Sequence, residues 1–220
     1  MAAYLHPVPE PPAPELPALE LPVLGQTPHE RADAARNRAR LLDAAADLVD
    51  QHGASHVTME AVATAAHVGK GTLFRRFGDR AGLMNALIDH AEQEHQQAFM
   101  SGPPPLGPGA EPLERLEAFG VSSIRFHLRY LDVLLEAEPC AARQCLSPPR
   151  MLRISHVTML LRQLAVGGDT DLLAQTLVSQ LDPVLLHHLN RQLGIPAERI
   201  EHGWRDLVRR LTAQRPSSSY

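Results

Sequence analysis

The chain has 220 residues and a mean hydropathy of −0.17, enough for one small module and one helical body rather than two large domains. No apolar run is long enough to cross a bilayer. Pro7, Pro9, Pro11, Pro12, Pro14 and Pro17 interrupt any secretory signal, so the expected location is the cytoplasm and no membrane partner is expected. Net charge is −4 but uneven: residues 1–30 carry four acids and no Lys or Arg, residues 31–80 a net +2, and residues 81–220 a net −2. Only the 31–80 stretch has the sign that contact with phosphates requires. Cys140 and Cys145 are too few for a disulfide framework and read as incidental thiols of a reducing compartment.

Residues 1–30 are rich in Pro and Glu without any period, which predicts a disordered tail, as does the short segment 215–220. From Arg36 the pattern turns helical: Leu41, Leu42, Ala45, Leu48 and Val49 form one stripe, closed by Gly53. Thr58 is placed to cap a short second helix, Met59 to Ala66. After a turn at His67-Val68-Gly69, a third helix runs from Lys70 to Phe77. Asp79 can cap a fourth from Arg80 to about Met100. A Pro/Gly linker, Ser101 to Glu111, precedes a helix opened by Pro112 and running to about Glu138, where Pro139 ends it. Further helices are expected over Arg150–Val166, from Asp169 or Thr170 to about Leu193 with a kink near Pro183, and from Pro196 to Ala213. No strand alternation appears, so the fold class is all-α with about nine helices.

Residues 58–77 have the make-up of a helix-turn-helix. Val62, Ala63 and Ala66 give the second helix a small inner face, Val68 plugs the turn, and Leu73 and Phe77 anchor the third helix. The opposite face carries Lys70, Thr72, Arg75 and Arg76, donors suited to phosphates and guanine edges. Spacing alone leaves an ordinary bundle equally open. The stretch from Leu41 to Leu87, however, resembles the TetR-family DNA-binding domain. The resemblance lies in the helix ending at Gly53, Thr58 opening the next, Val68 in the turn, Gly71-Thr72-Leu73-Phe74, Phe77, and Arg80 with Leu83. It implies that Thr58 and Arg80 touch phosphates, and that Lys70, Gly71 and Thr72 start the reading helix. Arg75 and Arg76 would then contact bases or backbone, with Phe74 on the same face, and Arg36, Arg38 and Arg40 would reach flanking backbone. His67, Gly69 and Phe74 depart from the Gly, Ser and Tyr usual there. Phe74 forgoes a hydroxyl hydrogen bond of about 1 kcal/mol, and a histidine tolerates a left-handed turn.

The resemblance divides the chain into a helix-turn-helix domain over 31–90, whose last helix from about 80 begins the body, and an effector-binding and dimerisation domain over 91–214. Phe119, Ser123, Phe126, His127 and Tyr130 on one helix, with His156, Met159 and Gln163 on another, are candidates for the effector pocket. Each is individually as well explained by plain core packing. Leu173, Leu177, Leu181, Val184, Leu185 and Leu189 form one apolar stripe, and Ile200, Trp204, Leu207, Val208 and Leu211 another. A four-helix homodimer interface and the chain's own core compete for both. The twelve histidines include no pair with metal-ligand spacing: His187 and His188 are adjacent, and His90 and His95 are five apart. No cofactor, metal or enzymatic activity is expected. The reading is a ligand-responsive regulator, by default a repressor released from a palindromic double-stranded operator by an unidentified small molecule. Its rivals are a helical ligand-binding protein that has lost its DNA contacts and a helical-bundle enzyme.

Overall fold

The computed structural model describes residues 28–136 and 147–213, and the side chains of 28–34 and of Glu136 are not described. Cys140, Cys145 and nearly all of the two expected tails lie outside the described residues. Ten α-helices occur among those described: α1 (Pro28–His52), α2 (Met59–Ala65), α3 (Lys70–Phe77), α4 (Arg80–Ser101), α5 (Pro112–Arg129), α6 (Leu131–Glu136), α7 (Pro148–Gln163), α8 (Thr170–Ser179), α9 (Pro183–His187) and α10 (Ala197–Ala213). No strand is present among them.

The elements differ from expectation in three places. α1 starts at Pro28 rather than Arg36, because residues such as Glu30, Arg31, Ala34 and Ala35 favour helix without forming an apolar stripe. The helix opened by Pro112 is not continuous. Tyr130 leaves helical geometry at φ −104°, ψ 15°, and the break lets Tyr130 and Val133 bury against the core of α1, α2 and α4. The expected kink at Pro183 is a full interruption: Asp182 accepts a hydrogen bond from the Val184 amide at 2.9 Å and starts a new helix. A single π-helical turn, His188–Gln192, follows.

Two cores share one rod. The first gathers Leu41, Leu42 and Ala45 of α1, Val62 of α2, Leu73 of α3, and Leu83, Met84 and Leu87 of α4. The second gathers Phe99 of α4, Leu116, Phe119 and Ile124 of α5, Val157, Leu160 and Leu161 of α7, Leu177 and Val178 of α8, and Trp204 and Val208 of α10. α4 therefore runs out of one core into the other. At the crossover Glu92 is buried in an ion pair with Arg153 of α7, and Gln96 donates to its other oxygen at 2.9 Å. Arg129, at the end of α5, grips Asp50 of α1 with two nitrogens at 2.6 and 2.7 Å.

The second core is closed by a close approach of α10 to α5. The Trp204 indole donates to the Leu116 carbonyl at 3.2 Å, and a Cβ on Gly120 would lie 1.8 Å from the indole ring. Gly120 is thus fixed by space, and a methyl there forces Trp204 out of its seat. Overpacking of this kind costs about 1–3 kcal/mol. Gly120→Ala is expected to lower the melting temperature by roughly 5 °C in a thermal melt, whereas Gly203→Ala, with no atom within 4 Å of the added carbon, should leave it near wild type.

Candidate functional site

The turn between α2 and α3 is built locally. Thr58 Oγ1 accepts from the Ala61 amide at 3.1 Å and caps α2. His67 takes the left-handed conformation at φ 54°, and the Val68 amide donates to the Ala63 carbonyl at 2.9 Å. Leu73 is fully buried, which fixes the roll of α3 and turns Lys70, Gly71, Phe74, Arg75 and Arg76 to solvent. Arg75 donates to Thr72 Oγ1 at 3.3 Å. Lys70 pairs with Glu60 of α2 and stands 5.8 Å from the centre of the Phe74 ring. The Lys70 hydrogen bond holds the Glu60 carboxyl below its ordinary carboxylate value. Arg38 lies 5.9 Å over the Phe77 ring.

Arg80 has a role that motif matching did not supply. Its Nε donates to the Val57 carbonyl at 3.0 Å and its Nη2 to the Ala54 carbonyl at 2.7 Å. The guanidinium thus clamps the 3-10 turn Ala54–His56 to the head of α4, and so positions Thr58 for any partner.

Residues 41–87 match the profile of bacterial regulatory proteins of the tetR family. An HTH-type transcriptional regulator of Staphylococcus aureus (strain USA300) is 38% identical over 58 residues, 26% of this chain and 31% of that relative. The match therefore spans about a third of the curated relative's length. The fold likeness is wider. A TetR-like transcriptional regulator from Rhodococcus sp. RHA1 superposes with a TM-score of 0.53 at 23% identity, covering 82% of this chain and 98% of that one. A second Rhodococcus regulator gives 0.58 at 17%, covering 80% and 96%. SmeT, solved in complex with triclosan, gives 0.52 at 16%, covering 80% and 90%.

A cavity of about 550 Å³ opens beside the α4 crossover. Phe126 and His127 line it, while Phe119, Ser123, Tyr130 and His156 are buried in the surrounding packing. Met159 and Gln163 are exposed, a correction to the expected pocket. The buried arc of α7 centres on Val157 and Leu160, which leaves Met159 on the outer side and Gln163 on the flank of the last turn. The wall includes residues not anticipated: Ile88 and Glu92 of α4, Arg150 and Arg153 of α7, Val178 of α8, and Leu181. A signal for them existed, since Glu92 and Arg153 are charges standing in otherwise apolar stripes.

The expected dimer stripes are likewise divided. Leu177, Leu181, Trp204 and Val208 are buried within the one chain by α5 and α7 and are not available to a partner. Val184 is 55% and Leu207 41% exposed, with Leu185 and Leu211 half-buried beside them. Apart from these, Asp43, His90 and Glu94 bring their ligand atoms within 4.8 Å of one another, a grouping that sequence spacing missed because Asp43 comes from α1. His90 Nε2 lies 3.3 Å from Asp43 and 3.5 Å from Glu94, so a histidine between two carboxylates accounts for the arrangement.

Three buried histidines stand round the crossover. Burial, then the charges of Arg153 and His156, pushes His95 down to about 4, and burial with Arg115 does the same to His156. Burial, followed by Arg153 and His95, sets His127 well below its ordinary value. All three are neutral in the folded chain at neutral pH, and the unfolded chain binds the protons first as pH falls. Their contribution is fully present above an ordinary histidine value of 6.5 and is lost as pH falls from there towards about 4. Melts recorded from pH 7.5 to 4.5 should show a steady fall below 6.5, and His95→Leu should flatten it.

Proposed function

We propose that the chain is a ligand-responsive transcriptional regulator that binds a palindromic DNA operator as a homodimer and is released from it by a small molecule. The observation that carries this reading is the outer face of α3. A buried Leu73 leaves Lys70, Phe74, Arg75 and Arg76 exposed, with Thr72 half-buried beneath Arg75. Such a helix fits the major groove with its first turns towards the bases. Lys70, once freed from Glu60, and the Thr58 hydroxyl would meet phosphates. Arg75 and Arg76 offer forked donors to guanine O6 and N7, and exposed Phe74 offers an apolar surface to a thymine methyl. Arg80 would act as a positioning residue for Thr58 while still lying close to the backbone. Gly71 lets a phosphate approach the helix start. A chain with this activity works in the cytoplasm on the nucleoid, and no described helix is long and apolar enough to cross a membrane.

Two readers must face successive major grooves about one helical turn apart. The partly exposed apolar row of Val184, Leu185, Leu207 and Leu211 would supply the contact between protomers, with Leu177, Leu181, Trp204 and Val208 supporting it from beneath. The cavity beside α4 would receive the effector, and triclosan in SmeT is the kind of largely apolar compound that such a space suits. A ligand shifts the equilibrium only by binding the DNA-competent and released states unequally. A cavity walled by α4 provides that inequality, because α4 is continuous with the core that seats α3.

Binding to the DNA upstream of its own gene, measured as a function of salt, tests the DNA part. Wild type should bind selectively, and Arg75→Ala and Arg76→Ala should each weaken binding by about 1–3 kcal/mol. No selection of any sequence from a randomised pool would overturn the reading. Leu207→Glu is expected to convert the dimer to a monomer in light scattering and to abolish tight operator binding, while leaving the melting temperature of the chain near that of wild type.

A further inference from the structure

The cavity has a polar corner whose donors outnumber the acceptors supplied to them. Arg153 is 7% exposed and His127 is 4% exposed. Arg153 gives one nitrogen to Glu92, but its Nε has no hydrogen-bond partner among the described residues, and neither does His127 Nδ1. Arg150, on the same side of α7, donates one Nη to Ser179 at 3.1 Å and leaves its own buried Nε unpaired. The acids nearby are already engaged or peripheral. Glu92 is held by Arg153 and Gln96, Asp182 caps α9, and Asp89 is exposed at the rim. The apolar part of the wall is made of Ile88, Phe126, Leu134, Val178 and Leu181.

Buried donors left without acceptors are costly, and a ligand that supplies acceptors recovers the loss. Guanidinium groups prefer planar, two-pronged, charged acceptors above all others. We propose that the effector is an apolar organic acid, its carboxylate received by Arg150 and Arg153 and its hydrocarbon part lying against the wall of α4 and α8. The inference rests on the cavity being the effector site and adds the chemical class. His127 donates its one proton to the Leu181 backbone, which leaves the neutral ring's Nδ1 an acceptor and the carboxylate to the two arginines. A cationic ligand would meet two guanidinium groups and, among the described residues of the wall, one unengaged carboxylate, Asp89, at the edge.

Calorimetric titration of the full chain, without DNA, with decanoate, 1-decanol and decylamine separates the possibilities, since the three share one chain and differ only in the head. Decanoate should bind at least ten-fold more tightly than either of the others. Arg150→Met, which leaves the Glu92–Arg153 pair intact, should remove that advantage while changing decanol affinity less than two-fold. Arg153→Met serves as a second variant if its melt shows a folded chain, and should act in the same direction. Equal affinities for decanoate and decanol, or tighter binding of decylamine, would overturn the acid class while leaving the effector cavity standing. Binding of none of the three, in a chain that still selects operator DNA, would overturn both the acid class and this cavity as its receptor, without touching the DNA reading.

Discussion

The interaction on which the rest depends is the ion pair of Glu92 and Arg153, buried where α4 passes from the reader core into the body. Two charges taken out of water contribute little net stability as a pair, but removing one partner typically costs about 3–5 kcal/mol. Such a pair fixes position more than it stabilises. Here it fixes the depth and roll of α4 against α7, and Gln96 completes the carboxylate's hydrogen bonding so that only one arrangement satisfies all three side chains. The contact of Arg153 with the Phe126 ring, 5.7 Å away, ties α5 into the same joint.

The three devices around this joint have a common consequence. Arg129 on Asp50 fastens the end of α5 to α1, and the break at Tyr130 carries Tyr130 and Val133 into the reader core. The cavity shares its walls with the joint: Glu92 and Ile88 belong to α4, and Arg153 belongs to the pair itself. α4 therefore lines the cavity along one stretch and packs against α1, α2 and α3 along another.

The reader was legible in the sequence because its constraints are local. Cap, turn and anchor residues fall within twenty positions, so Thr58, His67, Leu73 and the outward arginines could be placed from spacing, and α3 has the predicted bounds. The bonds of Arg80 to the Ala54 and Val57 carbonyls were not legible, since those acceptors lie more than twenty residues away. In the body, period alone cannot say which of two apolar arcs faces inward. Trp204 and Val208 were equally good interface or core residues until α5 was seen to cover them, and Gly120 gave no hint of the indole against it. The charged wall of the cavity was visible as Glu92 and Arg153 out of place in their stripes, but pairing them needed the packing of α4 on α7.

The proposed coupling of the cavity to α3 through α4 can be tested without knowing the effector. Val178 is 3% exposed and lines the cavity from α8, remote in sequence from the reader. Val178→Phe places a ring in the space where an effector would sit and alters no residue of the reader. Operator affinity measured on this variant should fall at least ten-fold while the chain still melts cooperatively. A folded Val178→Phe chain with wild-type affinity for the operator would contradict the coupling of cavity to reader through α4.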